Sequence, residues 1–214
     1  MTPTLYITFG LIGLGIVVSL IWRLSSRRHA LPCPSWLGWM VELDNPFTKI
    51  NRARFIIEHL ELDPTMKVLD AGCGPGRLTL PLAEAVGPRG EVLAMDIQDG
   101  MLARVREKVE AAELRNVQYL QAGLGEGRLP QAHFDRAVLV TVLGEIPDQV
   151  AALKELHSAL KPGGILSITE VIFDPHFQRR ETVLRAAQAF TFREKNFFGR
   201  RLAYTLHLEK VVDA

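Results

Sequence analysis

From Lys67 onward, short apolar runs alternate with segments whose apolar residues recur every three or four positions. Lys67–Ala71, Glu91–Asp96, Val117–Gln121, Arg136–Thr141 and Gly164–Val171 are five to eight residues long and mostly apolar, as buried strands are. Between them, three segments predict amphipathic helices: Arg77–Val86, the stretch carrying Met101, Leu102, Val105 and Val109, and Gln149–Leu160 with Val150, Leu153, Leu156 and Leu160 aligned. This alternation predicts a parallel sheet flanked by helices. A further helix is expected near Arg179–Gln188, and Phe190–Phe198 with Leu202–Leu208 reads as a closing hairpin around Gly199. Upstream, Asn45-Pro46 breaks the chain before Phe47–Leu60, where Ile50, Phe55, Ile56, Ile57 and Leu60 give a helical apolar face.

The start of the chain has a different pattern. Leu5–Trp22 runs for 18 residues without a charge, and 11 of them are Leu, Ile, Val or Phe. As a helix it reaches about 27 Å, close to the roughly 30 Å hydrocarbon core of a bilayer. A cleaved signal peptide carries its basic residues before the apolar run, and a buried soluble helix carries a polar stripe. Here Arg23, Arg27 and Arg28 follow the run, and no stripe interrupts it. The expectation is one N-terminal transmembrane helix, single-pass, with the amino terminus outside and everything after Trp22 in the cytoplasm. The glycines at 10, 13 and 15 miss the GxxxG spacing, so no helix dimer is predicted and the oligomeric state stays open. Trp36 and Trp39 suit either the membrane boundary or a short helix packed on the globular part.

Composition sharpens this division. With 48% hydrophobic and 23% charged residues in 214, the chain is not disordered, collagen-like or disulfide-stapled. A mean hydropathy of +0.11 is high for that charge content, and the apolar amino terminus accounts for it. The net charge of +1 is an average over unlike parts. Setting aside Arg23, Arg27 and Arg28 leaves 22 basic against 24 acidic residues, so the globular part is mildly acidic. Nucleic acid is therefore not an expected partner, whereas the basic cluster beside the apolar run suits a lipid bilayer. Cys33 and Cys73 have no metal-ligand spacing, and His29, His59, His133, His157 and His207 show no grouping, so no metal site is expected. A disulfide is not expected in a reducing cytoplasm.

The chemistry is carried by Val68-Leu-Asp-Ala-Gly-Cys-Gly-Pro-Gly76. Glycines at 72, 74 and 76 between a strand and a helix let backbone approach a ligand and aim helix N–H groups at it. Asp96 lies 20 residues after Gly76, at the end of the next strand, where a carboxylate can accept both ribose hydroxyls. With Leu160-Lys-Pro-Gly-Gly164 and the terminal hairpin, the sequence closely resembles the class I S-adenosylmethionine-dependent methyltransferases. Within them it looks most like the group that includes the ubiquinone and menaquinone biosynthesis methyltransferases. The resemblance covers about residues 65–210 and is specific at VLDAGCGPG, VLAMDIQDGML and LKPGGIL. It implies a Rossmann-like seven-stranded α/β sheet with an antiparallel last strand, and S-adenosylmethionine (SAM) as cofactor. By the same match Asp70, Gly72, Gly74 and Gly76 surround the amino-acid end of SAM, Asp96 binds the ribose and Ile97 lies against the adenine. Thr141 and Leu143 would lie beneath the sulfonium. Many relatives place an Asp on the adenine amino group after the third strand. Gln121-Ala-Gly-Leu-Gly-Glu-Gly127 has none, leaving Gly123 or Leu124 by backbone, or Glu126 by a shifted loop. The implied division is 1–29 anchor and basic juxtamembrane segment, 30–64 helices capping the substrate site, and 65–214 methyltransferase domain.

Methyl transfer needs nucleophile, methyl and leaving sulfur in line, and a base only where the acceptor is protonated. The candidate proton acceptors at strand ends are Glu145, Glu170, and His176 beside Asp174. Glu145 also suits a helix N-terminus or an ammonium-binding site, and Asp-Pro-His a simple turn. The expected acceptor site is built from residues about 33–60, the 172–180 loop and the hairpin. Tethering the first of these to a bilayer favours a lipophilic acceptor: a quinone ring, an isoprenoid or a lipid headgroup. The alternatives are small soluble acceptors such as thiols, a non-catalytic SAM-binding module, and a dinucleotide dehydrogenase, which the GxGxG spacing disfavours.

Overall fold

Val68, Leu69, Asp70 and Ala71 are all buried, and a run buried on both faces belongs in the middle of a sheet. This run is β1 (Lys67–Ala71), flanked by β2 (Glu91–Asp96) and β4 (Phe134–Val140). β3 (Val117–Gln121) lies outside β2, and β5 (Leu160–Val171) beyond β4. β6 (Phe192–Arg200) and β7 (Ala203–Lys210) complete the order β3-β2-β1-β4-β5-β7-β6. The strands from β3 to β5 pair in parallel, and β7 runs antiparallel to both β5 and β6. The expected Rossmann-like α/β sheet with its reversed last strand is the one observed. This computed structural model describes Gly10, Gly13, Val17, Glu42 and residues 48–211. Apart from Gly10, Gly13 and Val17, the span Leu5–Trp22 lies outside the described residues, as do Trp36 and Trp39. Among the described residues no helix is long and apolar enough to cross a membrane.

Among residues 48–211, five helices flank the sheet: α1 (Ala53–His59), α2 (Thr79–Val86), α3 (Asp99–Ala111), α4 (Gln149–Ala159) and α5 (Arg180–Ala187). Strand pairing puts Val68, Val92 and Val138 on one face, buried with Ile56 and Leu60 from the α1 region and Leu78 and Leu82 around α2. The other face presents Leu69, Leu139, Ile168 and Leu206 to Leu153 and Leu156 of α4 and Val183 of α5. Because Ile56 and Leu60 are fully buried there, α1 is part of the domain core, although the sequence assigned it to a separate capping segment. Arg136, buried in β4, donates to Leu60 O and Glu61 O at 2.8 Å each and ties down the C-terminus of α1. A cation there is favoured by the helix dipole and by bonds to otherwise unpaired carbonyls.

Local backbone explains the shifted boundaries. The helix expected over Phe47–Leu60 divides into a 3-10 turn at Lys49–Asn51 and α1, because Arg52 is extended (φ −74, ψ 139). α2 starts at Thr79 rather than Arg77, since the glycine turn takes in the residues before it. β4 begins earlier than expected, at Phe134, and stops at Val140 because Thr141 has φ 56. At the carboxyl end of β5, Val171 pairs with Ala203, which also pairs with Arg200. The β6–β7 turn therefore shares one edge with the glycine turn after β1, the edge where open α/β sheets bind ligands.

Candidate active site

The glycine turn is fixed to β2 by its own backbone. Gly72 and Cys73 N–H both donate to Met95 O, at 2.8 and 2.9 Å. Gly72 has φ +70, and a Cβ on it would stand 2.5 Å from Val142 Cγ2, so the residue must be glycine on two counts. Gly74 has φ +52 and a Cβ on it would meet nothing within 4 Å. Its backbone therefore lines open space at the carboxyl edge, next to Gly76 at φ +88.

Two carboxylates brace this turn. Asp70 is buried and accepts the Thr79 hydroxyl at 2.7 Å. Burial pushes it up to about 6, against the lowering effects of Thr79 and Arg77, and nearby Asp96 adds to the rise. Asp96 accepts Gly74 N–H on one oxygen and Gln98 N–H on the other, each at 2.9 Å. Burial raises it above the usual carboxylate range, and those backbone donors hold it down. Each oxygen keeps a second lone pair, so the carboxylate can still accept a pair of hydroxyls. Beside it Ile97 is exposed, and its Cγ2 is 3.5 Å from where a Cβ on Gly123 would be. Glu126 Oε1 stands 2.7 Å from that same point. The Leu124 side chain packs against the core, which leaves its backbone, the Gly123 backbone and Glu126 as the polar groups near Ile97. An open glycine backbone, a carboxylate with spare acceptor capacity and an apolar face beside a carboxylate fit an amino-acid-bearing nucleoside.

The β4 end departs from expectation in part. Thr141 holds φ 56, a costly conformation for a β-branched residue, and its N–H donates to Thr169 O at 2.9 Å. Leu143 was expected against the sulfonium. The residue is fully buried in the core, which corrects its expected access to a ligand. Leu143–Glu145 form a 3-10 turn, and Gly144 lies so close to the His176 carbonyl that no Cβ fits between them.

Behind that contact the expected proton acceptors come together. Glu145 Oε1 is 3.7 Å from His176 Nδ1, and Asp174 Oδ1 is 3.9 Å from the same nitrogen. His176 N–H donates to Asp174 at 2.6 Å, and Gln178 N–H donates to Glu170 at 2.9 Å. Gln178 Nε2 donates to His176 O, and the Tyr204 hydroxyl donates to Gln178 O, both at 2.8 Å. Burial pushes Glu145 up to about 8, with Asp174 and Asp96 adding to the rise. Burial likewise pushes Glu170 to about 8, the Gln178 N–H opposing it. Of the three candidates only Glu145 is partly open to solvent. Glu170 is 1% exposed and His176 is buried within the 172–178 turn, whose Gln178 N–H bonds to Glu170. They are placed to hold that turn against β5 and β7, which corrects their expected access to a ligand.

Sequence reasoning missed the groups that act through contacts between separate elements: Thr79 on Asp70, Val142 over Gly72, and Gln178 with Tyr204 on the acidic turn. It also missed Lys108, whose Nζ lies 2.8 Å from Glu42 and donates to Pro75 O at 2.7 Å, joining Glu42 to the glycine turn. None of these has a spacing signature. Only Tyr204, opposite Glu170 in the strand pairing, follows from a correct hairpin register.

The comparisons with known proteins agree with this geometry. Residues 68–164 match the family model described as "Methyltransferase domain". An Aquifex aeolicus SAM-dependent methyltransferase superposes with a TM-score of 0.74 at 21% identity, covering 84% of this chain and 100% of that one. A Thermotoga maritima SAM-dependent O-methyltransferase superposes at 0.63 and 19% identity, covering 86% and 74%. At those identities the likeness is one of fold. Residues 68–164 thus carry the sequence pattern of a methyltransferase domain, and the described residues share the fold of solved SAM-dependent methyltransferases. Among relatives, the chain is similar to a demethylmenaquinone methyltransferase of Geobacillus stearothermophilus, 36% identical over 110 residues, 51% of this chain and 47% of the relative. It is also similar to a ubiquinone/menaquinone biosynthesis C-methyltransferase of Shewanella baltica, 39% identical over 118 residues, 55% of this chain and 47% of the relative. The matched segment spans about half the length of these relatives.

Proposed function

We propose that this protein methylates a lipophilic acceptor, of which a quinone-type ring is the favoured class. The observation that carries the reading is Glu145: a partly exposed carboxylate held near 8, coupled electrostatically to Asp96 across the ligand edge. Asp70, Gly72, Gly74 and Gly76 would hold the amino-acid end of SAM, Asp96 its ribose, and Ile97 with Gly123, Leu124 or Glu126 its adenine. Thr141 would lie under the reacting centre. When bound, SAM supplies an electrophilic methyl group on a sulfonium. Glu145 then serves as the group that takes the proton an acceptor hydroxyl or ring carbon must release. A base poised near working pH combines a useful ionised fraction with real basicity. Glu170, Asp174 and His176 hold the turn that positions it.

The quinone class draws its support from the relatives, whose names specify quinone biosynthesis. The apolar Leu5–Trp22 supports a single-pass anchor with the catalytic domain on the cytoplasmic side, which would bring the site to acceptors dissolved in the bilayer. The division at residues 1–29, 30–64 and 65–214 belongs to the same proposal, with α1 counted in the domain core. Incubation of the protein with methyl-labelled SAM and a lipid extract tests the reading. Label is expected in a solvent-extractable product, and label found only in water-soluble products overturns it.

A further inference from the structure

The tip of the β6–β7 hairpin carries Arg200, Arg201 and Leu202, all exposed, with Leu202 at 59%. Ile172 N–H donates to Leu202 O at 2.7 Å, which brings Phe173, 63% exposed, onto neighbouring backbone. The patch stands at the carboxyl edge of the sheet, beside the turn that contains His176 and bonds to Glu170 through Gln178. Its two arginines differ from the other basic residues of these strands. Arg193 pairs with Glu209 at 2.7 Å, Lys195 with Glu61 at 2.9 Å, and Lys210 donates to His157 O and Leu160 O. Arg200 and Arg201 have no ion pair among the described residues. Two exposed apolar side chains beside two uncompensated cations match a surface with an apolar interior and anionic headgroups.

The position of the amino-terminal chain points the same way. Ile50 packs on Gly199 at the hairpin tip, so closely that a Cβ on Gly199 would collide with it. Asn51 is held by Arg77, which donates to its backbone and side-chain oxygens at 2.5 and 3.0 Å. The 47 residues before Thr48, including Leu5–Trp22 and the cluster Arg23, Arg27 and Arg28, therefore join the domain at this edge. We infer that Phe173, Arg200, Arg201 and Leu202 form a docking surface for an anionic lipid bilayer, which turns the acceptor side of the site toward the membrane. The inference rests on the lipophilic-acceptor reading above and adds to it an orientation that an anchor alone does not impose.

Bimane attached at Leu202→Cys, in the full chain carrying Cys33→Ser, reports the contact. Cys73 is buried and leaves that label site distinct. The protein is mixed with phosphatidylcholine vesicles with or without about one third phosphatidylglycerol, with brominated acyl chains as quencher. Quenching is expected in the anionic vesicles. It should fall at least 5-fold with Arg200→Glu and Arg201→Glu together, since one basic residue near an anionic surface is worth about 5-fold. Bimane at Glu113→Cys, on the loop before β3 at the opposite edge, should stay unquenched. Matched thermal melts check that the variants are folded. No quenching at position 202, equal quenching at 113, or a lipid-independent spectral shift that grows with protein concentration overturns the docking surface; the last assigns the patch to a second copy of the chain. Label transferred to a lipophilic product in detergent without quenching removes the docking alone. Quenching with label only in water-soluble products removes the acceptor reading alone.

Discussion

Replacing Glu170 by Gln tests the central electrostatic claim, that the acidic turn is held together in a protonated state. Glu170 is buried and pushed to about 8 when folded, whereas an unfolded glutamate titrates near 4.3. Its folded pKa is raised, so its contribution to stability is complete below about pH 4.3 and is lost as the pH rises through about 8. Between those values the folded state binds one more proton than the unfolded state, and stability falls by about 1.4 kcal/mol per pH unit. The integrated loss approaches about 5 kcal/mol. Gln keeps an oxygen for Gln178 N–H and a comparable shape but cannot ionise. Glu170→Gln should therefore gain on the wild type by about 1.4 kcal/mol from pH 6 to pH 7, or about 3–6 °C in Tm for a domain of this size. Thermal unfolding followed by circular dichroism at pH 5, 6, 7 and 8 measures this directly. Wild-type-minus-variant curves that stay parallel across that range would refute the reasoning, because Glu170 would then be ionised in the folded state. An offset common to every pH reports only the swap of a hydroxyl for an amide.

Three other outcomes follow from the same geometry. Asp96→Ala removes the acceptor for Gly74 N–H and Gln98 N–H along with the spare lone pairs, so SAM affinity by calorimetry should fall by about 1–3 kcal/mol. Unchanged affinity would mean that Asp96 does not face the cofactor. Gly72→Ala meets both a left-handed φ and a 2.5 Å approach to Val142 Cγ2, and chemical denaturation should show a loss of about 1–3 kcal/mol. Adding Val142→Ala should restore part of that loss, the steric part, and no restoration would show that the clash is not the cause. Glu145 accepts a proton only when ionised, so wild-type kcat/KM for SAM, which reports the SAM-free enzyme, should rise with pH and level off above about 8. Glu145→Gln should be at least about 100-fold slower with no such rise, and a retained rise assigns the base elsewhere.

The succession of strands and helices was legible because β1, β2, β4 and β5 are largely buried on both faces and the helices between them are amphipathic, two periods that do not resemble each other. β1, β2 and β3 were located to the residue, since glycine or polar turns bound each one. β4 and β5 were misplaced at their ends, because a strained Thr141 and a Lys-Pro-Gly-Gly segment that bulges between the paired Leu160 and Ile165 are decided by neighbouring strands. In the site, the glycine turn and Asp96 were legible because their work is local: a backbone path and one carboxylate at a strand end. The fates of Glu145, Glu170 and His176 were not. All three lie at or just after strand ends and look equivalent in sequence, yet Glu170 in β5 and His176 in the 172–178 turn are buried while Glu145 stays partly open. That selection is made by Gln178, Tyr204 and the absence of a side chain at Gly144, none adjacent in sequence to all the groups they sort.

The same arrangement ties stability to function through charge. Asp70, Asp96, Glu145 and Glu170 are all raised, and burial is the first cause for each. Arg77 offsets the rise at Asp70, and the fold accommodates the other acids by protonating some of them or by giving them backbone donors, as Gly74 and Gln98 do for Asp96. Positive charge brought to the carboxyl edge favours their ionised forms, and ionised acids favour positive charge there. Glu145 is the member most able to respond, being coupled to Asp96 yet partly open and lacking the backbone donor that Glu170 has. A sulfonium at that edge would lower its pKa and make it a ready proton acceptor when the reaction needs one. The neutral thioether left after methyl loss would let it take up and hold a proton. On this argument the strained Thr141, the clash-limited Gly144 and the buried acids belong to one design. It places a single responsive carboxylate at the ligand edge and uses the others to hold it there.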